Sequence, residues 1–233
     1  MPDDAELEDL SPYDLMDREA ARLDDYFSSL DESDWQEPSA CEGWSVHDVL
    51  SHLAASEAYN HACLDDSVGA LFEDVGARGV TDMHSFNALG VADRADTSNA
   101  DVLDEWRVAC RRTRNELRER SGGDVATSVG PYPADWQAWH LASELATHGD
   151  DVGVPVSADE AAARTDWRAR FSRFALAESK PDLPVAKTDD GTRVTIGDRT
   201  LTLDDPTFVA AVSARLAAGE LDDETRRALV ALA

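Results

Sequence analysis

Three polar residues on two predicted helices have the types and spacing needed to bind one divalent metal. Glu144 and His148 stand four residues apart in the run SELATH, so on a helix they would share one face. His52, on another predicted helix, would reach the same ion from across a bundle. Three nitrogen and oxygen ligands leave a position open for water or substrate, as in catalytic zinc sites. The alternative is that such pairs are solvated surface groups or satisfied core groups.

The length and charge of the chain narrow the classes of partner. Its 233 residues can bury a substantial core. A net charge of -27 argues against binding nucleic acid or anionic membranes, since both require a basic surface. No apolar run approaches the roughly 20 residues that span a bilayer, and the start MPDD is acidic where a signal peptide would be basic. We therefore expect a cytoplasmic protein that binds small molecules.

Two further features of the composition describe the environment of the protein. Cys41, Cys63 and Cys110 are few, odd in number and widely spaced, which favours reduced intracellular thiols over a disulfide framework. Lys180 and Lys187 are the only lysines in a strongly acidic chain. This balance suits a high-salt cytoplasm, where screening removes self-repulsion. A GC-rich genome that encodes Arg in place of Lys would produce the same pattern, and the composition does not separate the two explanations.

Hydrophobic periodicity predicts four long helices in the first two thirds of the chain. Ser45 and Asp48 form a capping-box-like start for the second, and Ser98 can cap the third. We interpret residues 76–97 as a long, largely irregular connection with at most one short helical turn, a feature that tends to be functional. Four helices with one long crossover predict a bundle whose facing side chains can hold a metal. The predicted helices cover residues 13–30, 45–64, 100–120 and 134–152.

The last third of the chain has a different pattern. A helix capped by Ser157 is predicted to about residue 178, followed by alternating runs at 183–188 and 192–203 with Gly-containing turns, which are typical of short strands. Two closing helices are predicted at 205–216 and 222–232. We therefore predict two regions, a bundle over residues 1–155 and a small α/β region over 156–233.

Three ordered motifs resemble those of the mycothiol-dependent maleylpyruvate isomerase family in the DinB/YfiT-like superfamily. The first is SACEGWSVHDVLSHL at residues 39–53, the second begins at Phe86 and Asn87, and the third is ELATHGDD at residues 144–151. The similarity covers about residues 15–155. It implies a mainly α fold, a DinB-like four-helix bundle with a small C-terminal α/β appendage.

The resemblance also implies roles for particular residues. It makes His52, Glu144 and His148 the ligands of a divalent metal, with zinc as the expected ion. Asp151 matches the Asp of the third motif and would orient a ligand imidazole from outside the ligand shell, or else end its helix in solvent.

Two weaker assignments lie near the predicted ligands. Asn87 belongs to the second motif and is a candidate substrate contact. His140 lies one turn before Glu144 and would contact substrate or act as a base, or else pack beside Trp136 and Trp139.

The function implied by the resemblance is thiol chemistry. A low-molecular-weight thiol such as mycothiol would be the cosubstrate, activated at the metal, and its thiolate would add to a small electrophile. The outcome would be isomerisation or S-transfer. No motif after Pro155 can be matched to the family, so the sequence does not specify the electrophile. The alternative is a non-catalytic metal-binding or stress-response protein with the same bundle.

Overall fold

The chain divides into two compact units in the computed structural model, which describes residues 3–217 and 219–232. One unit comprises residues 12–154, and the other combines residues 3–11 with the part of the chain that begins at Pro155. Helices dominate both units, which confirms the mainly α fold class. Within the described ranges, no helix has the length and apolar character needed to cross a membrane.

The unit formed by residues 12–154 is built on four long helices, at the positions that the periodicity predicts to within one or two residues. The helices of this unit are α1 (Pro12–Ser29), α2 (Val46–Leu64), α3 (Val68–Ala77), α4 (Met83–Ala92), α5 (Asn99–Glu119) and α6 (Ala134–Asp151). Helix α1 packs along α6, and α2 packs along α5. The two shorter helices, α3 and α4, follow α2.

The interior of the bundle contains the apolar faces of the four long helices. Phe27 of α1 stacks on Trp35 at 5.6 Å and meets Trp106 of α5 edge-on at 6.1 Å between ring centroids. Leu23 and Leu50 are 1 % and 0 % exposed. Burial of each such side chain contributes about 1.5–3 kcal/mol, so the core holds the helices that carry the candidate site.

Side-chain caps fix where two of these helices begin. The Asp48 backbone N–H donates to Ser45 Oγ at 3.2 Å, while the Ser45 N–H donates to Asp48 Oδ2 at 2.9 Å. This is the predicted capping box. The Asp101 N–H likewise donates to Ser98 Oγ at 3.2 Å. The start of α2 therefore sets the register of His52, about two turns further along the helix.

The prediction of a largely irregular connection over residues 76–97 is wrong, because this segment contains the end of α3 and all of α4. Asp82 and Ser85 form a capping box at the start of α4. None of the α4 side chains is fully buried, so the helix lacks the apolar stripe that sequence patterns detect. It lies very close to α2 nonetheless: a Cβ added at Gly90 would stand 2.4 Å from Ala55 Cβ.

A short hairpin before α6 was also not predicted. It pairs β1 (Asp124–Thr127) with β2 (Gly130–Pro133) in antiparallel register, with Val125 opposite Tyr132. Strands of four residues are too short to show a clear alternation of apolar and polar side chains. The two prolines of β2 also argue against predicting a strand there from the sequence.

The second unit has the predicted order of a long helix, short strands and two closing helices. Helix α7 (Ala158–Ser179) precedes an antiparallel sheet, β3 (Val185–Thr188), β4 (Gly191–Ile196) and β5 (Arg199–Leu203), and then α8 (Asp205–Val212) and α9 (Asp223–Leu229). The sheet order is β3-β4-β5. Its core includes Leu176, Val194, Phe208, Val212 and Leu229.

Residues near the start of the chain belong to this second unit. Arg173 of α7, 6 % exposed, donates from Nε to Glu6 Oε2 at 2.8 Å and from Nη1 to Thr192 Oγ1 at 2.9 Å. Ser157 precedes α7 as predicted, but its side chain makes no capping hydrogen bond to the helix backbone. The Ser157 hydroxyl instead donates to Glu160 Oε2 at 2.7 Å.

Candidate metal centre

The three predicted ligands converge between α2 and α6. One ligand atom from each of His52, Glu144 and His148 lies within 4.8 Å of the other two. The Nε2 atom of His52 is 3.5 Å from Glu144 Oε1. The two imidazole rings lie 4.8 Å apart at 67°. The structure therefore brings together the residues singled out by type and spacing, and their binding of a metal stays a prediction.

The three side chains differ in exposure. His52 and His148 are 6 % and 8 % exposed, whereas the Glu144 side chain is 32 % exposed. The imidazoles thus sit in the protein interior, and the carboxylate stands closer to solvent. The indole of Trp44 packs beside the His52 ring, with the ring centroids 5.2 Å apart and the planes tilted by 45°.

The donor set and its spacing fit a divalent cation. Two imidazoles and one carboxylate are the ligands of several catalytic zinc sites. Two ligands at about 2.1 Å from one ion in tetrahedral geometry stand roughly 3.4 Å apart, close to the 3.5 Å between His52 Nε2 and Glu144 Oε1. That distance is long for an N–H···O hydrogen bond. The residues present therefore suit a metal with an open position.

The two imidazoles are held in different ways. His148 Nδ1 lies 2.9 Å from Asp151 Oδ2, and because an ionised carboxylate only accepts, the proton lies on Nδ1 and leaves Nε2 free. His52 Nδ1 is buried and has no hydrogen-bond partner among the described residues. Packing against Trp44, rather than a hydrogen bond at Nδ1, therefore orients the His52 ring.

Asp151 is buried inside the protein. It is 4 % exposed, so the alternative of a helix-ending residue in solvent does not apply. Its Oδ2 atom also accepts from the Cys41 thiol at 3.1 Å. The sequence does not predict this contact, because nothing in the spacing relates two residues that are 110 positions apart. The only available signal was that both belong to family motifs.

Electrostatics keep the Glu144 carboxylate ionised. Burial alone would raise the pKa of this group, but its interactions with the neighbouring imidazoles, foremost that of His52, lower the pKa below its ordinary value. The group is therefore an anion at neutral pH, as a metal ligand must be.

A second carboxylate lies deeper between the same helices. Glu57 lines a narrow pocket that Glu144 also lines, and it accepts hydrogen bonds from Asn60 Nδ2 at 3.1 Å and from the Thr113 hydroxyl. Burial raises the pKa of the Glu57 carboxyl, although those two hydrogen bonds lower it. Sequence analysis did not single out this residue, because one Glu on a helix carries no pattern.

The remaining predicted residues lie outside this cluster of ligand atoms. His140 is half-buried, and its Nε2 atom is 3.1 Å from the Tyr132 hydroxyl. Asn87 is half-buried on α4, the helix that approaches α2 at Ala55. Their predicted roles with substrate stay predictions.

The bundle and its histidine and glutamate cluster define a DinB-like, mainly α protein. A model of the family described as mycothiol maleylpyruvate isomerase N-terminal domain matches residues 16–153. This chain belongs to that family. The recognition made from the three motifs is thereby confirmed.

Solved structures show the same fold. A crystal structure described as the mycothiol-dependent maleylpyruvate isomerase is similar with a TM-score of 0.53 and 18 % identity, over 74 % of this chain and 70 % of that one. A structure of a mutant of that enzyme gives a TM-score of 0.52 and 19 % identity over the same shares. At these identities the likeness concerns the fold alone. No curated protein matches the chain in sequence.

Proposed function

We propose that this protein is a metal-dependent enzyme that uses a low-molecular-weight thiol, such as mycothiol, to isomerise or S-conjugate a small electrophile. One observation carries the proposal: ligand atoms of His52, Glu144 and His148 lie within 4.8 Å of one another. Membership of a family named for mycothiol-dependent isomerisation supports the choice of thiol. The relatives with the same fold carry the same description.

The three ligands determine the chemistry that a metal would supply. Two neutral imidazoles and one carboxylate favour zinc. A divalent cation held by them would stabilise a thiolate and so lower the pKa of an added thiol toward neutrality. Zinc and the thiol are both parts of the proposal.

The residues of the chain prepare this chemistry in three ways. Asp151 holds the proton of His148 on Nδ1, which leaves Nε2 available as a ligand atom. The neighbouring histidines keep Glu144 ionised. The Trp44 indole packs against the His52 ring and helps to hold its orientation. The exposed part of Glu144 marks the side on which small molecules would enter.

The thiolate would act as a nucleophilic catalyst in an isomerisation. Its sulfur adds to one carbon of an activated double bond, which leaves a single bond that can rotate. Expulsion of the same thiolate then restores the double bond in the other geometry, so that no atom is gained or lost. In an S-transfer, the sulfur would instead displace a leaving group and remain on the product.

Turnover by the metal-loaded full chain tests the proposal. Mycothiol and maleylpyruvate, the substrate in the names of the relatives, should react faster with the protein than without it, as followed by product formation. Glu144→Ala should abolish this acceleration, whereas His84→Ala, at an exposed position on α4, should leave it unchanged. Assays at low and high salt are needed because the acidic surface can require screening.

Two results would contradict the proposal. Equal acceleration by Glu144→Ala would show that the ligand cluster does not activate the thiol. If mycothiol, bacillithiol, glutathione and coenzyme A all failed to react faster with maleylpyruvate and with a generic electrophile, the protein would be a non-catalytic metal-binding protein.

A further inference from the structure

We propose that Cys41 is a positioning residue for the metal centre, which acts through Asp151 on the imidazole of His148. This inference rests on the metal-binding part of the proposed function. The three side chains form a continuous contact: Cys41 Sγ to Asp151 Oδ2 at 3.1 Å, and Asp151 Oδ2 to His148 Nδ1 at 2.9 Å.

Asp151 is buried, and the Cys41 thiol is one of the donors that its carboxylate contacts. A carboxylate that is 4 % exposed requires donors in place of the water it has lost. Both Cys41 and His148 approach the same oxygen, Oδ2. Cys41 Sγ is 4.0 Å from His148 Nδ1, so the shorter contact with the carboxylate is the one through which the thiol acts. It donates to the oxygen that accepts from the imidazole and thereby fixes the position of that oxygen.

The backbone before α2 holds Cys41 against the end of α6. The Ala40 N–H donates to the Asp151 carbonyl at 2.8 Å, and the Trp44 N–H donates to the Cys41 carbonyl at 3.0 Å. Gly43 completes this turn with a φ of +81°, in the left-handed region that favours glycine. Backbone hydrogen bonds of Ala40 and Trp44 therefore fix the position of Cys41 in the chain.

The same turn reaches both imidazoles of the candidate site. Cys41 contacts Asp151, which holds His148, while Trp44 packs against His52. The segment then enters α2 through the Ser45 cap. The thiol of Cys41 thus acts as a hydrogen-bond donor that helps to position the metal ligands. If Cys41 served only to fill space, a side chain without a donor could replace it.

Paired substitutions separate donation from packing. Cys41→Ser keeps a donor, and Cys41→Ala removes it. Zinc affinity of the full chain is measured by competition with a chromophoric chelator, and the visible spectrum of the Co²⁺-loaded protein reports ligand geometry. We expect Cys41→Ser to bind zinc within about threefold of the unmodified protein. Cys41→Ala should bind about fivefold more weakly, as for one net hydrogen bond, with an altered Co²⁺ spectrum.

Further variants test whether the effect passes through Asp151. Asp151→Ala should weaken zinc binding by about 10- to 100-fold, and adding Cys41→Ala to it should cause no further loss. Cys63→Ala, at a buried cysteine that packs with Ala62 and Val68, should leave the affinity unchanged and serves as the control.

Several results would overturn the inference. Equal affinities for Cys41→Ser and Cys41→Ala would assign the residue to packing. Additive losses in the double variant would show that Cys41 does not act through Asp151. Two zinc ions per chain, one of them lost in Cys41→Ala, would make Cys41, His148 and Asp151 a second ligand set, since their ligand atoms also lie within 4.8 Å of one another.

The tautomer of His148 provides a test that needs no metal. Nitrogen NMR of the metal-free protein should show the proton on Nδ1 in the unmodified chain and in Cys41→Ser, and a mixture of tautomers in Cys41→Ala. If no metal bound at all, the proposed function would fail while this measurement still decided the role of Cys41. An unchanged tautomer in Cys41→Ala would then reject that role.

Discussion

The Nε2 atom of His52 faces Oε1 of Glu144 at 3.5 Å, across the space between α2 and α6. A direct hydrogen bond between these groups would be shorter. The separation instead suits two ligands that share one cation. This relationship makes the occupancy of the site the first property to measure.

Removal of His148 should empty the site without unfolding the bundle. We expect about one equivalent of divalent metal in the unmodified chain and close to none in His148→Ala, because two remaining ligands bind zinc far more weakly than three. The apolar core of the four long helices does not include this residue, so the helical circular dichroism should persist. Elemental analysis of both proteins, with His84→Ala as the control, makes the comparison. Loss of helical signal together with the metal would assign a structural role to the ion.

The close approach of α4 to α2 should be sensitive to one methyl group. Gly90→Ala would place a Cβ 2.4 Å from Ala55 Cβ, and such overpacking costs about 1–3 kcal/mol of unfolding free energy. Adding Ala55→Gly should remove the clash, so the double variant should be more stable than the sum of the two single effects. Urea denaturation measures all four proteins. Gly69→Ala, at a helical position with open space around it, should be neutral or stabilising by up to about 1 kcal/mol. Additive single effects would mean that the two helices do not meet at these residues.

The buried carboxyl of Glu57 should make stability depend on pH. Its pKa is raised in the folded protein by burial, so its contribution to stability is fully present below the ordinary pKa of glutamate and is lost as the pH rises through the raised value. Glu57→Gln keeps an acceptor for Thr113 and Asn60 but cannot ionise. In chelator-treated protein between pH 5 and 8, the stability of this variant relative to the unmodified chain should increase with pH. Urea denaturation of both proteins across that range measures this difference in unfolding free energy. A difference that does not change with pH would contradict the prediction.

The bundle should fold without the second unit. Residues 12–154 form a compact unit by themselves, with a core drawn from the long helices. A chain limited to these residues should be helical and unfold cooperatively, at least at high salt, where screening reduces the repulsion among its carboxylates. Circular dichroism melts over a range of NaCl concentrations measure this. A truncated chain that is unfolded or insoluble at every salt concentration would contradict the expectation.

Strong local patterns account for the parts of the fold that the sequence predicts well. The long amphipathic helices and the Ser45 cap depend on residues only a few positions apart, so periodicity and capping chemistry identify them. Helix α4 was not predicted, because none of its side chains is fully buried and its close approach to α2 at Gly90 is a tertiary contact that leaves no local pattern.

The candidate site shows the same division between local and long-range signals. The spacing of Glu144 and His148 on a helix identifies them as a candidate pair of ligands, and the family motifs support His52 and Asp151. The contact between Cys41 and Asp151 exists only in the folded chain, where the turn before α2 meets the end of α6. Physical reasoning on sequence alone has no means of pairing two such distant positions.

The ion pair between Glu6 and Arg173 joins residues 167 positions apart and has a consequence for biosynthesis. On a ribosome, residues 3–11 emerge early, yet their partner on α7 is not made until the entire bundle has been translated. The bundle can therefore complete its folding as a nascent domain, whereas the second unit must close a very long loop before its first segment finds its place. We therefore expect residues 3–11 to dock against α7 only after the bundle has folded.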